Sequence, residues 1–321
     1  MSFIERIDRF QRRHPHAGLP IAIIYKYADD QGSYLAALIT YYAFVSIVPL
    51  LLLSSTILGF VLHGNPELQH RLLNSALGQF PVVGTQLANE HGITGSGLGL
   101  VIGFLGTLYG GLGAANAAQN AMNTIWRVPR NERPNPIAGR LRSVVLLAIV
   151  GLAVIGTTGL AALSSVVNVF GPVEKALIGV LSLIVNTAVF TLGFRVATAQ
   201  KLTLAQTVPG AAFAALCWQG LQYVGAWYVG RAVAHSSEVN AVFALVLGLV
   251  AWLYLEAVIV VLAAQFNTVR SLRLYPRALL TPFTDDVDLT HADQQTYAQQ
   301  AKAQRFKGFE RISVRFRPPS E

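Results

Sequence analysis

Cysteine is nearly absent. Cys217 is the only one in 321 residues, so no disulfide can form within the chain and a cysteine-based metal site is excluded. Charge is scarce as well. Charged residues make up 12% of the chain, about half the share carried by a soluble domain. Signatures of catalysis are missing: there is no Walker A loop, no H-E-x-x-H, no G-x-S-x-G and no dinucleotide fingerprint. The seven histidines (His14, His16, His63, His70, His91, His235 and His291) are scattered through loops and tails, none at ligand spacing from a carboxylate. From these absences we expect no metal, no cofactor and no enzymatic activity. A cleavable signal is also not expected, because Glu5, Arg6, Asp8, Arg9, Arg12 and Arg13 stand where its apolar region would lie.

Long apolar runs are what the chain has in quantity. It is 53% hydrophobic with a mean hydropathy of +0.48. Six runs, at 34–62, 98–126, 142–164, 176–198, 207–231 and 241–266, are each long enough to cross a hydrocarbon core of ~30 Å as a helix. The reading is an all-α polytopic membrane protein. It has a basic cytoplasmic or interfacial segment at 1–33, a six-helix transmembrane domain at 34–266 and a polar cytoplasmic tail at 267–321. Basic residues alternate between the connections. Arg6, Arg9, Arg12, Arg13 and Lys26 precede the first run, and only Arg71 follows it; Arg127 to Arg142 supply five, then Lys175 stands alone. Arg195 and Lys201, then Arg231 alone, then the basic tail from Arg270 complete the pattern. By the positive-inside rule both termini are cytoplasmic. The net charge of +8 is thereby accounted for without a nucleic-acid partner.

Shorter features surround the runs. Residues 2–13 form a basic amphipathic helix with Phe3, Ile7 and Phe10 on one face, suited either to anionic headgroups or to solvent. Leu19 to Tyr27 is apolar but too short to span, an interfacial or re-entrant lead-in. The connection 63–97 holds a helix from Asn65-Pro66 to Pro81 with Leu68, Leu72, Ala76 and Phe80 aligned, then a flexible stretch. Thr207-Val208-Pro209-Gly210 places a proline in the first turn of the fifth helix. In the tail, Asp285, Asp286 and Asp288 make an acidic patch. Thr290-His291-Ala292-Asp293 resembles a capping box opening a short exposed helix to about Lys307.

One stripe organises the second run. Gly99, Gly103, Gly106, Gly110 and Gly113 recur at steps of four and three, and Asn116, Asn120, Asn123 and Arg127 continue the spacing. The glycines suit close helix packing. The amides are either interhelical glue or the wall of a polar passage. Pro49 kinks the first span. Asn186 and Arg195 lie in the fourth, the arginine able to snorkel to headgroups. Glu256, in Trp252-Leu253-Tyr254-Leu255-Glu256, is the most costly residue of all, an ionisable group at bilayer depth. Either it ties to Arg195 or to the asparagines, or it is a protonatable group on a transport route.

Several stretches resemble the YihY/BrkB family of bacterial inner-membrane proteins. They are Ala36-Ala37-Leu38-Ile39-Thr40-Tyr41-Tyr42 with Ser46-Ile47-Val48-Pro49; Asn123-Thr124-Ile125-Trp126-Arg127-Val128; Pro209-Gly210-Ala211; and Trp252-Leu253-Tyr254-Leu255 with Ala263-Ala264-Gln265-Phe266-Asn267. The resemblance implies six spans in the cytoplasmic membrane, links with envelope properties, serum resistance and lipid export, and an old label as a tRNA-processing ribonuclease. The residues give that label no support, since the cytoplasmic parts lack metal carboxylates and an acid–base pair. The family often has glutamate where this chain has Gln265. The expectation is a transporter or export factor for an amphipathic or lipid-like envelope component. The ladder of Asn116, Asn120 and Asn123, Arg195, Glu256 and the Pro49 kink would face one interior, with Asn186 a further pathway candidate. The alternative is a non-transporting scaffold. Membrane lipids with anionic headgroups, and a homo-oligomer or envelope proteins, are the expected partners.

Overall fold

The computed structural model describes residues 3–61, 97–166, 172–232, 238–281, 283–284 and 287–316. The expected helix at 65–80, the stretch at 92–96, His235 and its loop, and Asp285 and Asp286 lie outside them. Nine α-helices and no strands occur among the described residues: α1 (Phe3–Arg13), α2 (Leu19–Asp29), α3 (Gly32–Val61), α4 (Gly97–Ile125), α5 (Pro136–Val166), α6 (Pro172–Ala197), α7 (Leu204–Ala232), α8 (Glu238–Leu272) and α9 (His291–Ala303). The six long helices α3 to α8 coincide with the six apolar runs. Among the described residues, three stretches are long and apolar enough to cross a membrane: Pro136–Val154 in α5, Leu177–Ala197 in α6 and Val246–Leu272 in α8.

The long helices form a closed ring. Each packs on the next in chain order, and α8 closes the circuit against α3. Their directions alternate. Lys26 Nζ before α3 reaches Ile125 O at the end of α4 (2.9 Å), and Gln119 near that end reaches Ser143 in α5 (2.8 Å). Arg142 of α5 donates to Thr198 O just after α6 (3.5 Å), and Asn267 near the end of α8 grips the start of α7. One end of the ring therefore gathers the start of α3, α5 and α7 with the finish of α4, α6 and α8. The interior is lean, with Ala36, Ala211, Ala214, Ala257 and Ala263 almost wholly buried, while Leu152, Leu177 and Leu247 point outward with 68–70% of their surface exposed. Small residues inside and large apolar ones outside suit helices that associate by close packing in an apolar solvent.

Local chemistry sets the helix ends. The Asn135 side chain caps α5 by accepting from Ala138 N (2.8 Å), with Pro136 in the first turn. Gln206 Oε1 accepts from Thr203 N (2.9 Å) at the start of α7. Helices α4 and α8 both end on an arginine in the left-handed region, Arg127 (φ 55°) and Arg273 (φ 53°). Val128 N bonds Asn123 O (2.9 Å) and Leu274 N bonds Val269 O (3.0 Å), the Schellman arrangement in which glycine is usual.

Two expectations are corrected here. Helix α7 begins at Leu204, so Pro209 lies inside it, past its first turn. Helix α9 is capped as expected: Thr290 accepts from Asp293 N, and Asp293 accepts from Thr290 N. It ends at Ala303, however, and is docked, with Asp293 and Thr296 fully buried. Its continuation pairs with the α4–α5 turn through Asn131 N to Arg305 O (3.2 Å) and Arg305 to Glu132 (2.5 Å). Helix α1 spends its polar side on the tail and leaves apolar surface outward. Asp8, Gln11 and Arg12 engage Leu279 N, Arg277 O and Asp288 O, and Phe10 is left 56% exposed.

Candidate functional site

The glycine half of the stripe on α4 is a packing seam. A Cβ added at Gly106, Gly110 or Gly113 would clash with Pro49, Ser46 or Tyr42 of α3, respectively. These three pairs run antiparallel in register. Gly103 is buried, and Gly99 lies in the first turn of α4. Helix α3 continues through Pro49.

The amide half does not share that environment. Asn116 and Asn120 are exposed, and Asn120 Oδ1 accepts from Arg133 in the α4–α5 turn (3.0 Å). Asn123 is 3% exposed, but its Oδ1 accepts from Ala199 N after α6 (2.8 Å). The reason is geometric. A repeat of 3.5 residues drifts about 20° per heptad around a straight helix of 3.6. Gly99 to Arg127 spans four heptads, so the stripe rotates away from α3 before its end. The expected single interior is therefore not formed by these residues. Arg195 is exposed and donates from Nε to Leu202 O (3.1 Å), away from Glu256. Asn186 is half-buried on α6.

Glu256 stands apart from all of these. It is 8% exposed, and its Oε1 meets no well-formed hydrogen bond among the described residues. Trp252, one turn earlier on α8, is 5% exposed, and its indole Nε1 likewise meets none. The two side chains are each other's hydrogen-bonding neighbours one helical turn apart, inside the apolar stretch Val246–Leu272, where buried polar groups are ordinarily held by well-formed bonds.

Below them, at the gathered end, is an ionic plate that no sequence motif announces. Lys26 and Asp30 pair at 2.5 Å with neither side chain exposed, and Arg127 Nη2 contacts Asp30 Oδ1 at 2.6 Å. Gln265 donates to Asp30 Oδ2 (2.9 Å). Beside this group Arg277, 1% exposed, binds Asp29 (3.1 Å) and the buried Asp293. The Arg277 guanidinium also lies over the rings of Tyr25 (5.9 Å) and Tyr297 (5.5 Å). Three cations thus face three carboxylates. Burial pushes the Lys26 ammonium down to about 8 against the pull of Asp30. Burial also opposes the charge of Arg277, but Asp29 and Asp293 outweigh it and hold that group above its ordinary value. Lys26 and Asp30 are legible in sequence as an i, i+4 pair, but the short apolar segment around Lys26 disguises it. The spacing around Asp293 announces only a helix cap.

A third device joins α7 to α8. Pro209 offers no N–H to Ala205 O, and Arg270 donates to that carbonyl instead (3.1 Å). Gly210 N donates to Asn267 Oδ1 (2.7 Å), while Asn267 Nδ2 donates to Thr207 O (3.0 Å). A cleft of about 260 Å³ opens between Asp8, Arg9 and Arg12 and residues Ala278 to Leu280 and Val287; none of the expected pathway residues lines it.

Comparison with known proteins fits this architecture. The family model "Virulence factor BrkB" matches residues 23–284, from within α2 to just beyond the ring. A "UPF0761 membrane protein" of Alkalilimnicola ehrlichii is 26% identical over 259 residues, 77% of this chain and 57% of that protein. The chain thus spans a little over half the length of that curated relative. No solved structure matches. With the family model covering the whole ring and every member of the plate but Asp293, the chain belongs to the BrkB family of membrane proteins.

Proposed function

We propose that this chain moves, or assists the movement of, an amphipathic or lipid-like component of the bacterial envelope. In this reading it crosses the cytoplasmic membrane six times, holds both termini in the cytoplasm and has no enzymatic activity. The single observation that carries the proposal is the buried Glu256 carboxyl, whose Oε1 meets no well-formed hydrogen bond and whose hydrogen-bonding neighbour is the Trp252 indole on the same helix. A structural carboxylate is normally satisfied by several neighbours. One held only by an indole on its own helix, at bilayer depth, is available to a proton or to a passing polar group. The alternating basic connections and alternating helix directions support the orientation.

The test is Glu256→Gln and Glu256→Leu in a cell lacking the native protein, scored for envelope integrity and for membrane insertion. The proposal expects both variants to insert normally and to lose at least most of the rescue. Rescue at the wild-type level by both would end it.

A non-transporting scaffold is the second reading, favoured by the way Gln119, Asn123 and Asn267 are spent on neighbouring backbone and side chains. It expects rescue to depend on the tail and on co-purifying envelope proteins, and to be indifferent to Glu256.

A further inference from the structure

We propose that residues 305–316 form a docking loop for the anionic bilayer surface beside the start of α5. The inference rests on the reading of α5 as a membrane span. The loop is fixed rather than loosely placed. Phe306 N donates to Glu310 Oε2 (2.7 Å), Glu310 N donates to Lys307 O (3.0 Å), and Arg130 lies over the Phe306 ring at 4.9 Å. That framework holds apolar side chains away from the protein: Phe309 is 86% exposed and Phe306 58%. Lys307, Arg311 and Arg315 are exposed on the same short segment. Beyond Glu310 exposure alternates, with Ile312 and Val314 half-buried and Arg311, Ser313 and Arg315 exposed, so Arg311 and Arg315 share the outward side.

Position identifies the occupant. The loop is tied to the α4–α5 turn through Asn131, Glu132 and Arg130. The candidate span Pro136–Val154 begins four residues after Glu132, within ~14 Å of extended chain. Ile137 and Leu141, in its first turns, are 81% and 66% exposed, so the outward apolar surface starts there. Aromatic rings held beside the entry of an apolar helix, with three cations around them, match the interface of a bilayer carrying negative headgroups. The ring supplies apolar contact at the headgroup boundary, and the cations supply attraction that depends on lipid charge and falls with salt.

The experiment is hydrogen exchange of the full-length protein in nanodiscs of phosphatidylcholine alone and of phosphatidylcholine with phosphatidylglycerol. Amides of residues 305–316 should exchange on the order of tenfold more slowly in the anionic discs. The difference should vanish in Lys307→Glu/Arg311→Glu/Arg315→Glu and shrink in Phe309→Ser. Amides of α5 should be equally slow in both discs and in both variants, which reports the span separately from the loop. Equal exchange of 305–316 in the two disc types overturns the proposal, whether the segment is then free or packed on protein. So does anionic-disc protection that survives the charge reversal.

Discussion

The Asn267 carboxamide lies across the backbone of Gly210, accepting its N–H at 2.7 Å and donating to Thr207 O at 3.0 Å. A side chain here replaces helix bonds disturbed by Pro209. A Cβ at Gly210 would clash with Ala263 O and sit 2.5 Å from Asn267 Cγ. Asn267→Leu should lower stability by about 2–4 kcal/mol, because both backbone groups are buried and lose their partner. Gly210→Ala should cost at least as much by forcing α7 and α8 apart. Thermal unfolding in a mild detergent measures both; a shift within error for Asn267→Leu would contradict the clamp.

Asp30 is the shared anion of Lys26 and Arg127. Asp30→Asn should destabilise by about 3–5 kcal/mol, the usual consequence of leaving buried charge uncompensated. Adding Lys26→Met to that variant should restore part of the loss, since one stranded cation is then removed. A double variant no better than the single one would show that Lys26 does not depend on Asp30.

The same lysine gives a pH dependence with a definite sign. Its folded pKa, about 8, lies below its ordinary 10.5. Between those values the unfolded chain binds more protons at this site than the folded chain, so the Lys26 contribution to stability rises with pH. Burying the charged form is unfavourable below about 8, and that penalty fades toward 10.5. Wild type should therefore gain stability relative to Lys26→Met as pH is raised from 7.5 to about 9.5, with a slope of at most about 1.4 kcal/mol per pH unit. Paired unfolding curves across that window test it, and a gap that narrows with pH is the contrary result.

The seam between α3 and α4 separates packing from polarity. Backbone atoms of Ser46 stand only 2.7–2.8 Å from where a side chain at Gly110 would begin. Gly110→Val should therefore cost about 3 kcal/mol or more through overpacking. Asn116→Leu, on the exposed continuation of the same stripe, should change stability by less than about 0.5 kcal/mol. Thermal unfolding of the two variants side by side measures the contrast. Retention of function by Asn116→Leu would also remove that residue from any passage.

The long helices were legible because each apolar run exceeds the length needed to cross a bilayer, and their alternation followed the arginine-rich turns. Glu256 could be singled out because charge inside such a run is rare. The common interior was not legible. Spacing alone conceals the slow rotation that separates Gly106 from Asn116, and an arginine's depth does not reveal that Arg195 reaches for Leu202 O. The plate was hidden for another reason. Its members come from residues 26–30, 127, 265, 277 and 293, and only folding shows that they meet.

Arg277 joins Gln11, Asp29 and Asp293, segments from opposite ends of the chain. A ribosome releases the first two long before the third. While α3 to α8 are being made, Asp29 has no Arg277 to pair with, and α1 lacks the residues 277–288 on which it settles. The closing bond of the molecule is thus made only after translation has passed the last long helix, which makes the tail the final stitch of assembly, not an appendage to a finished bundle.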